Sequence, residues 1–151
     1  MYDPKAGKFG TAGSMASGRY GSAAAQLQDG RALVIEGPSQ GSNVTSTAEV
    51  YDPKTGKFGN TASMPDGQNG HIATPLQDGR VLVTGGHDGS GNSVGSAEVF
   101  DPAAGAFGPT GAMATPRSGY TVTLLSDGRV LVAGGMGNDF KARASAELYR
   151  P

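Results

Sequence analysis

Two histidines and no cysteine limit the chemistry open to this chain of 151 residues. Without Cys there is no thiol nucleophile, no thiolate metal site and no disulfide framework. His71 and His87 alone cannot build an imidazole-rich metal centre in one chain, and no nucleophile and base pairing is recognisable, so neither a catalytic set nor a cofactor or metal site is expected. His87-Asp88 with nearby loop carbonyls could hold an ion or form a solvated loop tip. Glu49, Glu98 and Glu147, and Asp29, Asp78 and Asp127, are candidate acids and bases, but each set recurs at one spacing. A catalytic group is needed once, whereas a turn or a hydrogen bond between units is needed in every copy. Both sets therefore read as structural, and Arg31, Arg80 and Arg129 read as partners of acids on neighbouring strands. Arg19 and Arg117, with Gln68 between them in the same column, have the planar donors that grip a carboxylate or an acidic peptide; the alternative is that they bind backbone carbonyls of a neighbouring unit.

Twelve basic and thirteen acidic residues leave a net charge of -1, so no summed field draws the chain to nucleic acid or an anionic membrane. No apolar run exceeds four residues, too short for a membrane helix or the apolar stretch of a signal peptide, and the chain is expected to be soluble, in a compartment the sequence leaves unknown. The 26 glycines are more than double the ~7% of an average globular protein, which argues against a helical fold.

The elements that must position these residues follow from a repeat. Tyr2-Asp3-Pro4, Tyr51-Asp52-Pro53 and Phe100-Asp101-Pro102 recur every 49 residues, and Tyr149-Arg150-Pro151 is a degraded fourth copy. The same spacing carries Phe9, Phe58 and Phe107; Met15, Met64 and Met113; and Asp-Gly-Arg at 29–31, 78–80 and 127–129. Units of one length, 2–50, 51–99 and 100–148, with a partial motif at 149–151, point to a fixed structural unit within a single domain.

Each unit reads as a four-stranded meander. In the second, His71–Leu76 and Arg80–Thr84 are strands a and b joined by Gln77-Asp78-Gly79, with Asp-Gly expected to take positive φ at both residues. Strand c is Ala97–Phe100, and Asp101-Pro102-Ala103-Ala104-Gly105 turns the chain into a strand d around Phe107. The segment 141–148 is rich in helix formers, but its columns hold Gly and Val in the second unit, so it is expected to be loop and then strand c.

These residues resemble kelch repeats: Gly85-Gly86 and Gly134-Gly135 match the pair that ends strand b, Tyr51 and Phe100 the aromatic of strand c, and Phe9, Phe58 and Phe107 the strand d aromatic that is usually Trp. Glu36 replaces the first Gly of the pair in the first unit. The resemblance implies an all-β fold of propeller blades, strand a innermost and strand d outermost. It also implies ligand loops before strand a and after strand b, at 17–20, 66–69, 115–118, 38–42, 87–92 and 136–141. Candidate ligand residues on these loops and the adjoining strand a starts are Arg19, Tyr20, Gln68, Asn69, His71, His87, Asp88, Arg117, Ser118, Tyr120, Asn138 and Asp139, for a peptide, protein or glycan. A Cys-free chain cannot make the Tyr–Cys cross-link of the family's copper oxidases.

Propellers close with typically four to eight blades, and this chain encodes three. Gly7–Gly10 reads as a strand d without a preceding a, b or c, and Ser145–Tyr149 as a strand c without a following d. The expectation is a homodimer closing one six-bladed ring, Gly7–Gly10 of each copy completing the third blade of the other. A lone three-blade ring, a nine-bladed trimer, and a piece excised from a longer array or engineered are alternatives. The function this implies is a non-catalytic binding or scaffold module; a lectin-like role or a channel-sited metal enzyme are the rivals.

Overall fold

A computed structural model of the chain describes residues 2–35, 37, 45–65 and 67–151. Thirteen strands are described: β1 (Tyr2–Asp3), β2 (Lys8–Phe9), β3 (Ala23–Gln26), β4 (Ala32–Ile35), β5 (Ala48–Asp52), β6 (Lys57–Asn60), β7 (Ile72–Pro75), β8 (Val81–Thr84), β9 (Ala97–Asp101), β10 (Ala106–Pro109), β11 (Thr121–Leu124), β12 (Val130–Ala133) and β13 (Ala146–Tyr149). They form a hairpin β1–β2, two four-stranded sheets, β3 to β6 and β7 to β10, and a three-stranded sheet β11–β12–β13. Each sheet is an antiparallel meander, and the register repeats with the sequence: Leu33 faces Val50, Leu82 faces Val99 and Leu131 faces Leu148. The residues 146–149 are strand despite their local helix propensity, because strand β12 offers them a ladder.

Two expectations need correction. Lys8–Phe9 does have a strand c partner, since Tyr2 pairs with Phe9 and Asp3 with Lys8. In the a–b turns only the glycine takes positive φ, as at Gly79 (φ 91), while Asp78 does not. The Gly79 N–H donates to Leu76 O at 3.2 Å and the Leu76 N–H to Arg80 O at 2.8 Å. That is a three-residue loop, Gln77 to Gly79, on a type I turn with a left-handed Gly, so Asp78 needs no positive φ. Glu36, Pro38 to Ser42 and Asp66 lie outside the described residues.

The sheets pack face to face, and their strands a lie next to one another, β3 beside β7 and β7 beside β11. Between the first two sheets, Leu27, Leu33 and Ile35 meet Met64, Val81, Val83 and Phe100, all buried. Between the second and third, Leu76, Leu82 and Val99 meet Val130 and the partly buried Val122, Leu124 and Tyr149. The middle sheet thus has two faces with fixed roles, one packed on the first sheet and one on the third. Burying large apolar side chains at roughly 1.5–3 kcal/mol each makes these seams the main source of cohesion. The strand d aromatics pack on their strand c neighbours, Tyr51–Phe58 and Phe100–Phe107 both at 4.9 Å between ring centres.

Gln28 and Gln77, at one column, form polar rungs across the seams. Gln28 Nε2 donates to Gln77 O at 3.0 Å, and Gln77 Nε2 donates to Ser126 O at 3.2 Å.

Candidate functional site

The meander puts the segment before strand a and the loop after strand b at the same end of each blade, and the candidate residues gather there. They divide by burial. Arg117 is wholly buried, Gln68, His71 and Tyr120 are 5% exposed, and Ser118 is 8% exposed. Tyr20 is 64% exposed; Asn138 and Asp139 are also exposed, while Asn69, His87 and Asp88 are half-buried.

The buried set holds the blades together. Arg19 pairs with Glu49 and donates to Thr47 O at 3.2 Å; both charged side chains of that pair are 3% exposed. Arg117 pairs with Glu147 at 2.8 Å and donates to the carbonyls of Gly134 and Ser145, each at 2.9 Å. Glu49 accepts the Ala16 N–H at 3.0 Å and Glu147 the Ala114 N–H at 2.6 Å, so this ion pair clamps the segment before strand a onto strand c of the same blade. The structure turns both guanidinium groups inward. In the second blade Gln68 occupies the column and accepts from Ser96 Oγ at 3.1 Å.

Tyr120 and His71 share a column at the two seams but behave differently. The Tyr120 hydroxyl donates to Thr84 of the preceding blade, and burial pushes its pKa up. Both nitrogens of His71 are buried without a hydrogen bond of good geometry, although the Ile35 backbone lies near enough to favour the protonated ring slightly. Burial prevails and lowers the His71 pKa to about 4, so the ring is neutral at pH 7.

Arg31, Arg80 and Arg129 are not paired across strands as expected. Each pairs with the Asp two residues earlier in its own turn, Nε to Oδ2 at 2.7 Å. The same carboxylates accept the Arg backbone N–H, a local closure that no strand partner could match. The Arg80 and Arg129 hydrogen bonds hold Asp78 and Asp127 below the usual carboxylate range; at Asp29 the Arg31 backbone N–H contributes most.

Tyr20 and Asn69 lie before strand a, and the rest of the more exposed set sits on the two loops after strand b. Asp88 accepts the N–H groups of Ser90 and Asn92, both at 2.9 Å, and this lowers its pKa, Asn92 contributing most. Asn138 clasps Ser93 of the preceding blade, accepting from its N–H at 2.6 Å and donating to its carbonyl at 3.2 Å. Asp139 pairs with Arg143 at 2.8 Å. Beside them Phe140 is 86% exposed and left-handed at φ 57, in the column where Gly91 has φ 81. Met136 in the same loop is 43% exposed. Neither was singled out from sequence; an aromatic standing where the sister loop has Gly was the available signal. No group of three or more His, Cys, Asp or Glu able to hold a metal occurs among the described residues, and no helix among them is long and apolar enough to cross a membrane.

Residues 71–107, which span β7 to β10, match the family model of the Kelch motif. The chain carries a kelch repeat. The flanking sheets repeat the same sequence columns, with four strands in the first and three in the third. No curated protein matches the chain.

Proposed function

We propose that this chain is a non-catalytic kelch propeller module that closes a six-bladed ring with a second copy and presents the loops after strand b to a protein or peptide. The observation that carries the reading is the contrast between equivalent columns. Leu33 and Leu82 are fully buried at the internal seams, whereas Leu131 at the same column is half-buried. Val99 is 7% exposed and its counterpart Leu148 is 45% exposed. On the opposite flank, Val83 is 3% exposed while Val34, its counterpart, is half-buried.

These two uncovered faces carry the same column sets that already fit each other twice within the chain. A second copy therefore supplies a matching partner on both flanks, giving two identical heterologous seams related by a twofold axis. Phe9, 85% exposed and packed on Tyr2 at 5.3 Å between ring centres, would exchange Tyr2 for Tyr149 of the partner subunit, the residue of the same column, and so join the third blade of the partner as Phe58 packs on Tyr51. On the loop face Phe140 is the apolar anchor, and Asn138 and Asp139 with half-buried His87 and Asp88 are its polar surround. Aromatic anchors ringed by polar groups suit protein contacts.

Light scattering of the purified chain tests the ring. Twice the chain mass of 15.1 kDa is expected at micromolar concentration, and a monomer would overturn the reading.

A further inference from the structure

We propose that the clefts between neighbouring Asp-Gly-Arg turns, at the end of the blades opposite the ligand loops, are sites for a neutral polyhydroxylated ligand, a sugar unit. Strands a and b meet at this end, and so do strands c and d, so each seam brings two a–b turns against one c–d corner. Between the first and second blades the result is a cavity of about 290 Å3 lined by Asp29, Arg31, Asp78, Arg80, Asp101 and Pro102. Between the second and third it is a cavity of about 550 Å3 at the same columns, with Asp78, Asp127, Arg129, Arg150 and Pro151. The cleft is thus a property of the repeat, and it does not depend on ring closure.

Its chemistry narrows the ligand. The Arg and Asp side chains stay between 38% and 49% exposed although paired, because each guanidinium spends one edge on its own turn. The unused N–H groups and carboxylate lone pairs can donate to and accept from adjacent hydroxyls, the pattern a vicinal diol satisfies. In the first cleft three carboxylates against two guanidinium groups leave one negative charge, which disfavours an anion. In the second, Arg150 takes the column of Asp101, so two side-chain carboxylates face two guanidinium groups. Pro102 and Pro151 supply an apolar wall for a C–H face. The rungs from Gln28 and Gln77 hold the two turns of each seam at fixed spacing, so the clefts are preformed. One cleft per seam makes a polymer of repeated sugar units the natural multivalent ligand.

The test is nuclear magnetic resonance of the full chain, following the amide signals of Gly79 and Gly128 and the Arg80 and Arg129 Nε signals. The probes are D-galactose, D-mannose and N-acetylglucosamine, with sodium acetate as the anion control. Saturable millimolar shifts with at least one sugar and none with acetate are expected. In R80Q the Gly79 response should vanish while the Gly128 response, in the cleft Arg80 does not line, persists. D101N, which removes a cleft carboxylate outside the hairpin, should weaken the Gly79 response in the same way if R80Q fails to fold. No saturable shift with any of the three sugars, an equal response to acetate, or a Gly79 response that survives both substitutions would overturn the proposal.

Discussion

The wholly buried Arg117 guanidinium lies 2.8 Å from the Glu147 carboxylate, two residues 30 positions apart that meet because strand c returns beside the segment before strand a. The same pairing joins Arg19 and Glu49 in the first blade. It is a structural clamp, and losing one partner strands a charge in the interior. Arg117→Ala is expected to destabilise the chain by about 3 kcal/mol in urea unfolding, since Glu147 is largely buried and the carbonyls of Thr115, Gly134 and Ser145 also lose their donor. Arg129→Ala, which breaks an exposed pair, should leave the midpoint almost unmoved.

The His71 pKa, lowered to about 4 from 6.5 by burial, makes stability depend on pH. The folded state binds the proton less readily than the unfolded chain, so the His71 contribution is intact above pH 6.5, falls as pH drops toward 4, and is lost below it. The loss amounts to about 3 kcal/mol at most. The depressed carboxylates Asp29, Asp78 and Asp127 act only below the usual Asp range, near 3.8, leaving the higher window to His71. Unfolding of His71→Phe should show a flatter pH profile between 6.5 and 4; a slope equal to that of the parent would refute the assignment.

Gly135 has φ 87, and an added Cβ would stand 2.7 Å from Ser118 O and 2.9 Å from Tyr120 Cβ. Gly135→Ala therefore meets both a left-handed backbone and two unyielding neighbours, and a loss of about 2 kcal/mol or more is expected. Gly108, with open space and no positive φ, is the control. Its replacement by Ala should be tolerated in thermal unfolding.

Phe140 adopts φ 57 where Gly91 adopts φ 81. Phe140→Gly should relieve the strain and raise stability by up to about 1 kcal/mol while removing the most exposed aromatic of the loop face. Calorimetry checks the first effect. A lower melting temperature would show that the ring packs on the fold instead of standing free for a partner.

The repeat length, the four-strand order and the column of every site residue were legible in the sequence, because strands and turns of one fixed length leave a 49-residue imprint. Glu49 and Glu147 were legible as structural for the same reason. The Asp78–Arg80 pair was not legible: periodicity shows that two residues recur, not which of their neighbours they touch. The short turn decided that Arg80 closes on Asp78 in its own hairpin.

The sequence alone determined three units of 49 residues with apolar faces to cover. Only the tertiary structure decided which members of one column are buried and which are presented: His71 and Tyr120 in the seams, Arg117 inside its blade, Phe140 in the open. The reason is physical. A column fixes the position of a side chain along its strand, but its burial is set by the neighbouring blade and the returning strand c, tens of residues away in the chain, and those contacts exist only once the sheets have stacked.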